Sequence, residues 1–380
     1  MYKIRAVTLH VKFYDCFPNL KEAVEYVDSQ LDKLEYISRE LGKNVEILSK
    51  RLVLPSLEEM KRKIKNFELN ALSLFEDYLK RRINYYNMPI VSLNHPALEQ
   101  DLPNLFSSTD HFYSSICLAE KDCEKRETLE KAITILKNIS RLAGWLSATR
   151  FAFSIGPQPL TPYFPVTSSP LTGYTISLLY VNDLLTEVSS SNENCLIKLE
   201  NKIKKICENI KNKALEISSR TGLAFLGVDL SISPWLEESV VPLIEKIKGD
   251  ISIGTPGTLH TLYKINSVLE KVSRSGKVIG FNEIMLPLAE DNGLKRRVRE
   301  GDIGFKELMM YCLACVAGLD MVPIPEWTED KVLIHLFKDL FTIYAIKKKV
   351  LGVRLIPVNV EAGEEVDLGI FGKTPVLDLF

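Results

Sequence analysis

Four carboxylates carry the most chemical promise in this 380-residue chain: Asp229, Glu290, Asp291 and Asp320, each near an end of a predicted strand. Carboxylates from separate segments share a low-dielectric cleft only when a cation or a proton offsets their repulsion. The four therefore make a candidate Mg2+ or Ca2+ site, and Asp229, Glu290 and Asp291 are candidates for acid–base catalysis. GTPGT at 254–258 follows a predicted strand and precedes a helical run through Leu262, Ile265 and Leu269, so Gly254, Thr255, Gly257 and Thr258 could hold an anion at the helix start. It lacks the lysine of a P-loop and the spacing of a dinucleotide fingerprint, so neither a P-loop nucleotide nor NAD is expected. Asp15 and Cys16 follow the first strand, where the thiol could act as nucleophile or ligand.

Other reactive types read as structural. Cys312 and Cys315 lie in the apolar stretch MMYCLACVAGL, without a second cysteine pair or a nearby histidine, and a zinc site needs four ligands. Core thiols in a buried helix are the expectation. Of five histidines only His260 lies beside a candidate motif. No Ser-His-Asp or Cys-His arrangement can be asserted from their order.

The elements that must position these residues alternate. Residues 4–13 are strand-like, and Leu20 to Leu41 carry apolar residues at helical spacing up to Gly42. Val45 to Leu54 reads as a strand, and Ser56 with Glu59 forms a capping box that opens a long charged helix. Further strands are expected near 89–93, 148–155, 174–181, 223–231, 250–253, 277–281, 320–324 and 351–360, with helices between most of them and a helix near 196–219. This pattern predicts a mainly parallel sheet covered by helices, open or closed into a barrel, in a single domain spanning 1–380. Ligands gather at the carboxyl ends of strands in such folds, which is where Asp15, Asp229, Ser231, the GTPGT turn, Glu290, Asp291 and Glu326 are expected. The proline-rich segment 157–165 breaks the alternation as a stiff loop that could wall a pocket.

Composition narrows the partners. Forty-eight basic and 49 acidic residues leave a formal charge of −1, so no global field draws the chain to nucleic acid or anionic lipid. The stretch Leu308 to Leu319 is too short to span a bilayer. Seven cysteines without a close-set disulfide framework and an amino terminus without a signal-peptide core point to the cytoplasm.

The ordered motifs VDLSISP (228–234), GTPGT (254–258), PLAEDNG (287–293), CVAGLDMVPIP (315–325), VRLIP (353–357) and GEEVDLGIFGKTPVL (363–377) resemble the domain-of-unknown-function 711 family, also called uncharacterised protein family 0210. The resemblance implies a ten-stranded α/β barrel similar to those of pyruvate formate-lyase and the large subunit of ribonucleotide reductase, with helices outside. It also implies a homodimer. The glycyl-radical signature of such barrels is absent, so no glycyl radical is expected. Two departures stand out: 157–165 replaces a polar stretch, and Tyr113-Ser114-Ser115 replaces Cys-Ser-Ser.

These readings converge on an enzyme acting on a small anionic substrate, with a metabolite-binding sensor as the alternative. One concavity should then be bordered by Asp229, Glu290 or Asp291 and the GTPGT backbone, with Asp15 or Cys16 on its rim. Replacing Asp229 by asparagine should weaken binding and spare the fold.

Overall fold

The computed structural model describes residues 1–95, 98–190 and 194–379. Its strands are β1 (Lys3–His10), β2 (Lys50–Val53), β3 (Tyr85–Ile90), β4 (Phe112–Leu118), β5 (Phe151–Ile155), β6 (Gly173–Leu179), β7 (Phe225–Asp229), β8 (Val322–Pro325), β9 (Leu351–Val353), β10 (Leu355–Val358), β11 (Glu365–Asp367) and β12 (Lys373–Pro375). Eight form one sheet in the order β7-β6-β1-β2-β3-β4-β5-β9. Strands β1 to β5 pair in parallel, β6 runs antiparallel to β1, β7 parallel to β6, and β9 antiparallel to β5. Strands β8 and β10 pair in parallel, and β11 with β12 makes a hairpin. Where ten strands in a closed barrel were expected, the regular ladders thus give one eight-stranded and two two-stranded sheets.

Strand alternation sorts the side chains. Tyr86, Phe112, Phe151 and Phe153 point to the helices, in a chain of tilted and edge-on rings that includes Phe106 and Phe337. The opposite face of the same strands is polar. Asn87 Nδ2 and Ser115 Oγ donate to the Pro165 carbonyl at 2.6 and 3.0 Å, and Ser154 Oγ to that of Gly156 at 2.6 Å. The segment 156–168 therefore threads through what would otherwise be a second apolar core. Its prolines suit that place, because each removes a backbone N–H that would need a partner. The Pro162 carbonyl accepts from Arg51 Nη1 at 3.3 Å, and His10 joins Ser168 O and Thr175 Oγ1, each at 2.9 Å. Burial holds His10 down at about 4, so it stays neutral in this network.

Several expected elements change. The helix after Ser56 is only Leu57–Lys63, ending where Ile64 turns extended and bridges Phe17. The segments 250–253 and 277–281 form no ladder, whereas β4 was not anticipated because Tyr113-Ser114-Ser115 breaks its apolar run. The helix expected near 196–219 runs from Cys195 to Thr221 and ends at Gly222, which is in the left-handed region. Cys312 and Cys315 are buried, but the helix Phe305–Tyr311 stops before them and they sit in a following series of turns. Their thiols donate to the carbonyls of Leu308 and Ile284, and burial pushes Cys312 up to about 12 and Cys315 higher. Cys16 is exposed. Alkylation of the native protein should modify Cys16 first and reach Cys312 and Cys315 only after unfolding, as read by peptide mass mapping. Equal rates at the three would contradict this placement.

Candidate functional site

A cavity of about 90 Å3 opens at the amino ends of β2 to β5. Arg51 is the second residue of β2, Tyr85 the first of β3, Tyr113 the second of β4 and Ala152 the second of β5, and all four line it. The expected carboxyl-end location holds for the other strands. Because β6 and β9 reverse direction, the carboxyl ends of β7 and β9 open on this same side, supplying Ser233, Trp235, Gly352 and Arg354. Phe164, Pro165 and Val166 close one wall, so the proline-rich loop does border a pocket. Tyr113 and the loop 157–165 meet here.

Arg5 reaches the cavity through a backbone irregularity. The β1–β6 register slips between Ile4 and Ala6, leaving Arg5 as the extra residue. Regular alternation would set Arg5 on the face opposite Thr8 and His10, and the bulge turns it to theirs. Its Nη2 pairs with Glu290 Oε2 at 2.5 Å, Nη1 donates to the Pro234 carbonyl, and its guanidinium lies 5.0 Å from the Trp235 ring centre. Glu290 Oε1 accepts from Arg354 Nη2 at 2.8 Å. Arg354 also grips Asp320 through Nε and Nη2, at 2.7 and 2.9 Å, in the bidentate geometry that suits a carboxylate.

The two carboxyls that share Arg354 diverge. Burial would push Glu290 up, but Arg354 and Arg5 together hold it below the usual range. Asp320 has one arginine, and burial with the neighbouring Glu290 charge leaves it raised. Arg51 differs from the other two arginines. Its Nε donates to Ser49 Oγ at 3.1 Å and its Nη1 to Pro162 O, while Nη2 has no hydrogen bond and no carboxylate pairs with it among the described residues. Burial, with Arg5 adding repulsion, lowers it to about 10, still charged at neutral pH. Burial, reinforced by Tyr85, pushes Tyr113 up to about 12, and neither tyrosine hydroxyl has a hydrogen-bond partner among the described residues.

The sequence-named residues separate into groups. Glu290 and Asp320 line the cavity. Asp229 lies behind its wall, wholly buried: Oδ1 accepts from Ser231 N, Ser231 Oγ and Asn282 N at 2.9, 2.6 and 3.2 Å, and Oδ2 from Thr161 Oγ1 and Phe281 N at 2.7 and 3.0 Å. Asp291 caps the helix Asn292–Arg299 and also accepts from Val240 N. Arginines and amides contact the four carboxylates, and among the described residues no group of three or more His, Cys, Asp or Glu is placed to hold a metal ion. The GTPGT turn is elsewhere. Gly254 has φ of 95° with the Asp302 carbonyl 2.1 Å from where a Cβ would sit, and Lys248 Nζ donates to Ser252 O, Thr255 O, Thr255 Oγ1 and Thr258 Oγ1. A cation seated among its carbonyls and hydroxyls accounts for the motif as a folded turn. Asp15, Cys16 and His260 are exposed, the first two beyond the carboxyl end of β1 and so at the other end of the sheet from the cavity.

Sequence reasoning missed Arg5, Arg51 and Arg354. The available signal was an arginine inside each of the apolar strand sequences KIRAVTLH, KRLV and LGVRLIPV, since an arginine there needs a buried partner or a ligand. The Asp229 expectation also reverses. Five donors converge on this carboxylate, and an asparagine amide would turn a donor toward some of them. Asp229→Asn should therefore cost about 2–4 kcal/mol of stability in denaturant unfolding. Gly280→Ala, whose Cβ would lie 1.9 Å from Asp229 Oδ2 at a φ of 84°, should cost as much or more. Wild-type stability in both variants would contradict this role.

The family model described as Uncharacterised ACR (DUF711) matches residues 1–369. A UPF0210 protein of Desulforudis audaxviator is 35% identical over 170 residues, 43% of this chain and 37% of that protein. One from Methanocorpusculum labreanum is 33% identical over 188 residues, covering 45% and 41%. Both matches span less than half of the relative's length, whereas one to a UPF0210 protein of Streptococcus mutans, 24% identical over 423 aligned positions, covers 99% of this chain and 90% of the relative. With its model matched along almost the whole sequence, the chain belongs to the DUF711 family.

Proposed function

We propose that a closed ring of strands surrounds the loop 156–168 and that its interior binds a small anion at Arg51. Support for closure comes from backbone bonds between the ladders. Ile232 bridges Ile284, Leu286 N and Leu288 N donate to Ala317 O and Asp320 O, and Gly352 N and Arg354 N donate to Val316 O and Leu319 O. Strands β1 to β7 with the segments 278–289, 316–325 and 351–358 then make ten, the first five running one way and the rest the other.

Support for the anion is the charge of the cavity. Two of its three arginines are neutralised by Glu290 and Asp320, and Arg51 is the one without a carboxylate. A half-buried guanidinium with a free donor, beside unpartnered tyrosine hydroxyls and away from bulk water, is a strong carboxylate or phosphate binder. The anion site thus moves from the GTPGT turn to Arg51.

A second reading, turnover of the bound anion, draws on the opposite displacement of Asp320 and Glu290. Paired carboxyls driven apart in this way suit a proton carrier beside a fixed charge, with Asp320 the carrier. No metal is needed for either reading.

We also propose a homodimer. Leu142, Trp145, Leu146 and Ile370 are exposed, and Trp145 Nε1 donates to Asp367 O while Leu146 lies against Gly369, so these apolar side chains adjoin the mouth of the cavity.

Calorimetric titration with small carboxylates should show Arg51→Gln binding about ten- to a hundredfold more weakly than wild type. Unchanged affinity in a folded Arg51→Gln protein would remove the anion reading. Product formation that is lost in Asp320→Asn while binding persists would favour turnover; binding without product favours the sensor. Light scattering at micromolar concentration should give twice the chain mass, and a monomer would refute the dimer.

A further inference from the structure

Resting on the anion reading above, we infer that the ligand is a planar aromatic monocarboxylate about the size of benzoate. Charge sets the first limit. Arg5, Arg51 and Arg354 face Glu290 and Asp320, which leaves one positive charge in the cavity. A monoanion balances it. A phosphate dianion or a dicarboxylate would bring a second negative charge toward the buried Glu290 with no cation to receive it, and between buried charges that repulsion is weakly screened.

The donor set then points to a carboxylate. Ser49 and Pro162 take Nε and Nη1 of the Arg51 guanidinium, and Nη2 is left. Phe164 and Tyr85 lie against the same guanidinium, 5.2 and 5.9 Å from ring centre to its central carbon, so it cannot swing freely. Two carboxylate oxygens can meet Nη2 and a phenolic hydroxyl together. Tyr85 and Tyr113 both offer one, since neither hydroxyl has a partner among the described residues and Tyr113 stays protonated at neutral pH.

The walls select the body of the ligand. Tyr85 and Tyr113 meet edge to face at 5.3 Å, Tyr113 and Phe164 lie 5.7 Å apart, and Trp235 meets Phe371 edge to face at 5.9 Å. These pairs leave ring faces and edges on different sides of the cavity, the arrangement in which another ring gains most from its quadrupole. Between them lie Val166, Met285, Val316 and Ala317, which offer no side-chain hydrogen bond, so beyond the charged groups and Ser233 the walls favour an apolar body. Size agrees. The cavity measures about 90 Å3. One water needs roughly 10–15 Å3, so the space takes several waters and is large enough for a small ligand.

Three probes of similar size test this on the wild-type protein: benzoate, its neutral isostere benzamide, and malonate. Calorimetry, with Trp235 fluorescence as a second readout, should show benzoate binding at least tenfold more tightly than either of the others. Trp235→Phe should remove the fluorescence change, showing that binding is in this cavity and not near Trp145 or Trp327. Tighter binding of malonate would overturn the aromatic class and leave the anion reading standing. Equal binding of benzamide and benzoate would overturn the anion reading itself. No saturable binding of benzoate, or a fluorescence response kept in Trp235→Phe, would overturn the inference.

Discussion

The Glu290 carboxylate, held between Arg5 and Arg354, is the interaction on which the rest of the structure depends. It ties the first strand to the end of β9 across 285 and 64 residues of sequence. Burying a carboxylate costs several kcal/mol of lost hydration, and only well-placed opposite charges return it. Here two arginines share that task, and the second brings Asp320 with it. The same arrangement gives the cavity its character. With Arg5 and Arg354 neutralised, Arg51 is the cation left to act, and the chain's near-zero overall charge conceals a local positive site.

The interior is polar because the loop 156–168 occupies it. Strand faces that would pack apolar layers together carry Thr8, His10, Asn87, Ser115, Ser154 and Thr175 instead, and most of these bond loop carbonyls or one another. A proline-rich segment is the economical filling for such a space, since its carbonyls accept from the strands and its missing N–H groups require nothing. The cavity is the part of the interior that the loop does not reach. Its outline thus follows from where Pro165 and Val166 stop and where the bulge at Arg5 begins.

Much of the fold was legible in the sequence. Period-two and helical patterns located β1, β5, β6 and the helices Leu20–Gly42 and Cys195–Thr221, because each buries one continuous apolar face. What failed was local. Residues 278–289 and 316–321 join their neighbours only through isolated bridges and single backbone bonds, and Tyr113-Ser114-Ser115 hid β4 by carrying polar side chains within a strand. The site was less legible for a physical reason. Asp229, Asp291 and GTPGT have the residue types of a binding site, yet backbone amides and Lys248 satisfy them, and sequence cannot distinguish a carboxylate that receives amides from one that faces a ligand. Glu290 and Asp320 were found for their charge. Their arginine partners lie in distant strands, so the charge left over at Arg51 emerges only when the chain ends meet.

The most direct test of that leftover charge is an anomalous-scattering map from crystals soaked in iodide. A monovalent anion without directional bonding reports where the interior is electropositive, independently of any substrate. The strongest interior peak should lie beside Arg51, bordered by Tyr85 and Tyr113. An interior peak at Arg5 or Arg354 instead, or iodide confined to the protein surface, would contradict the account.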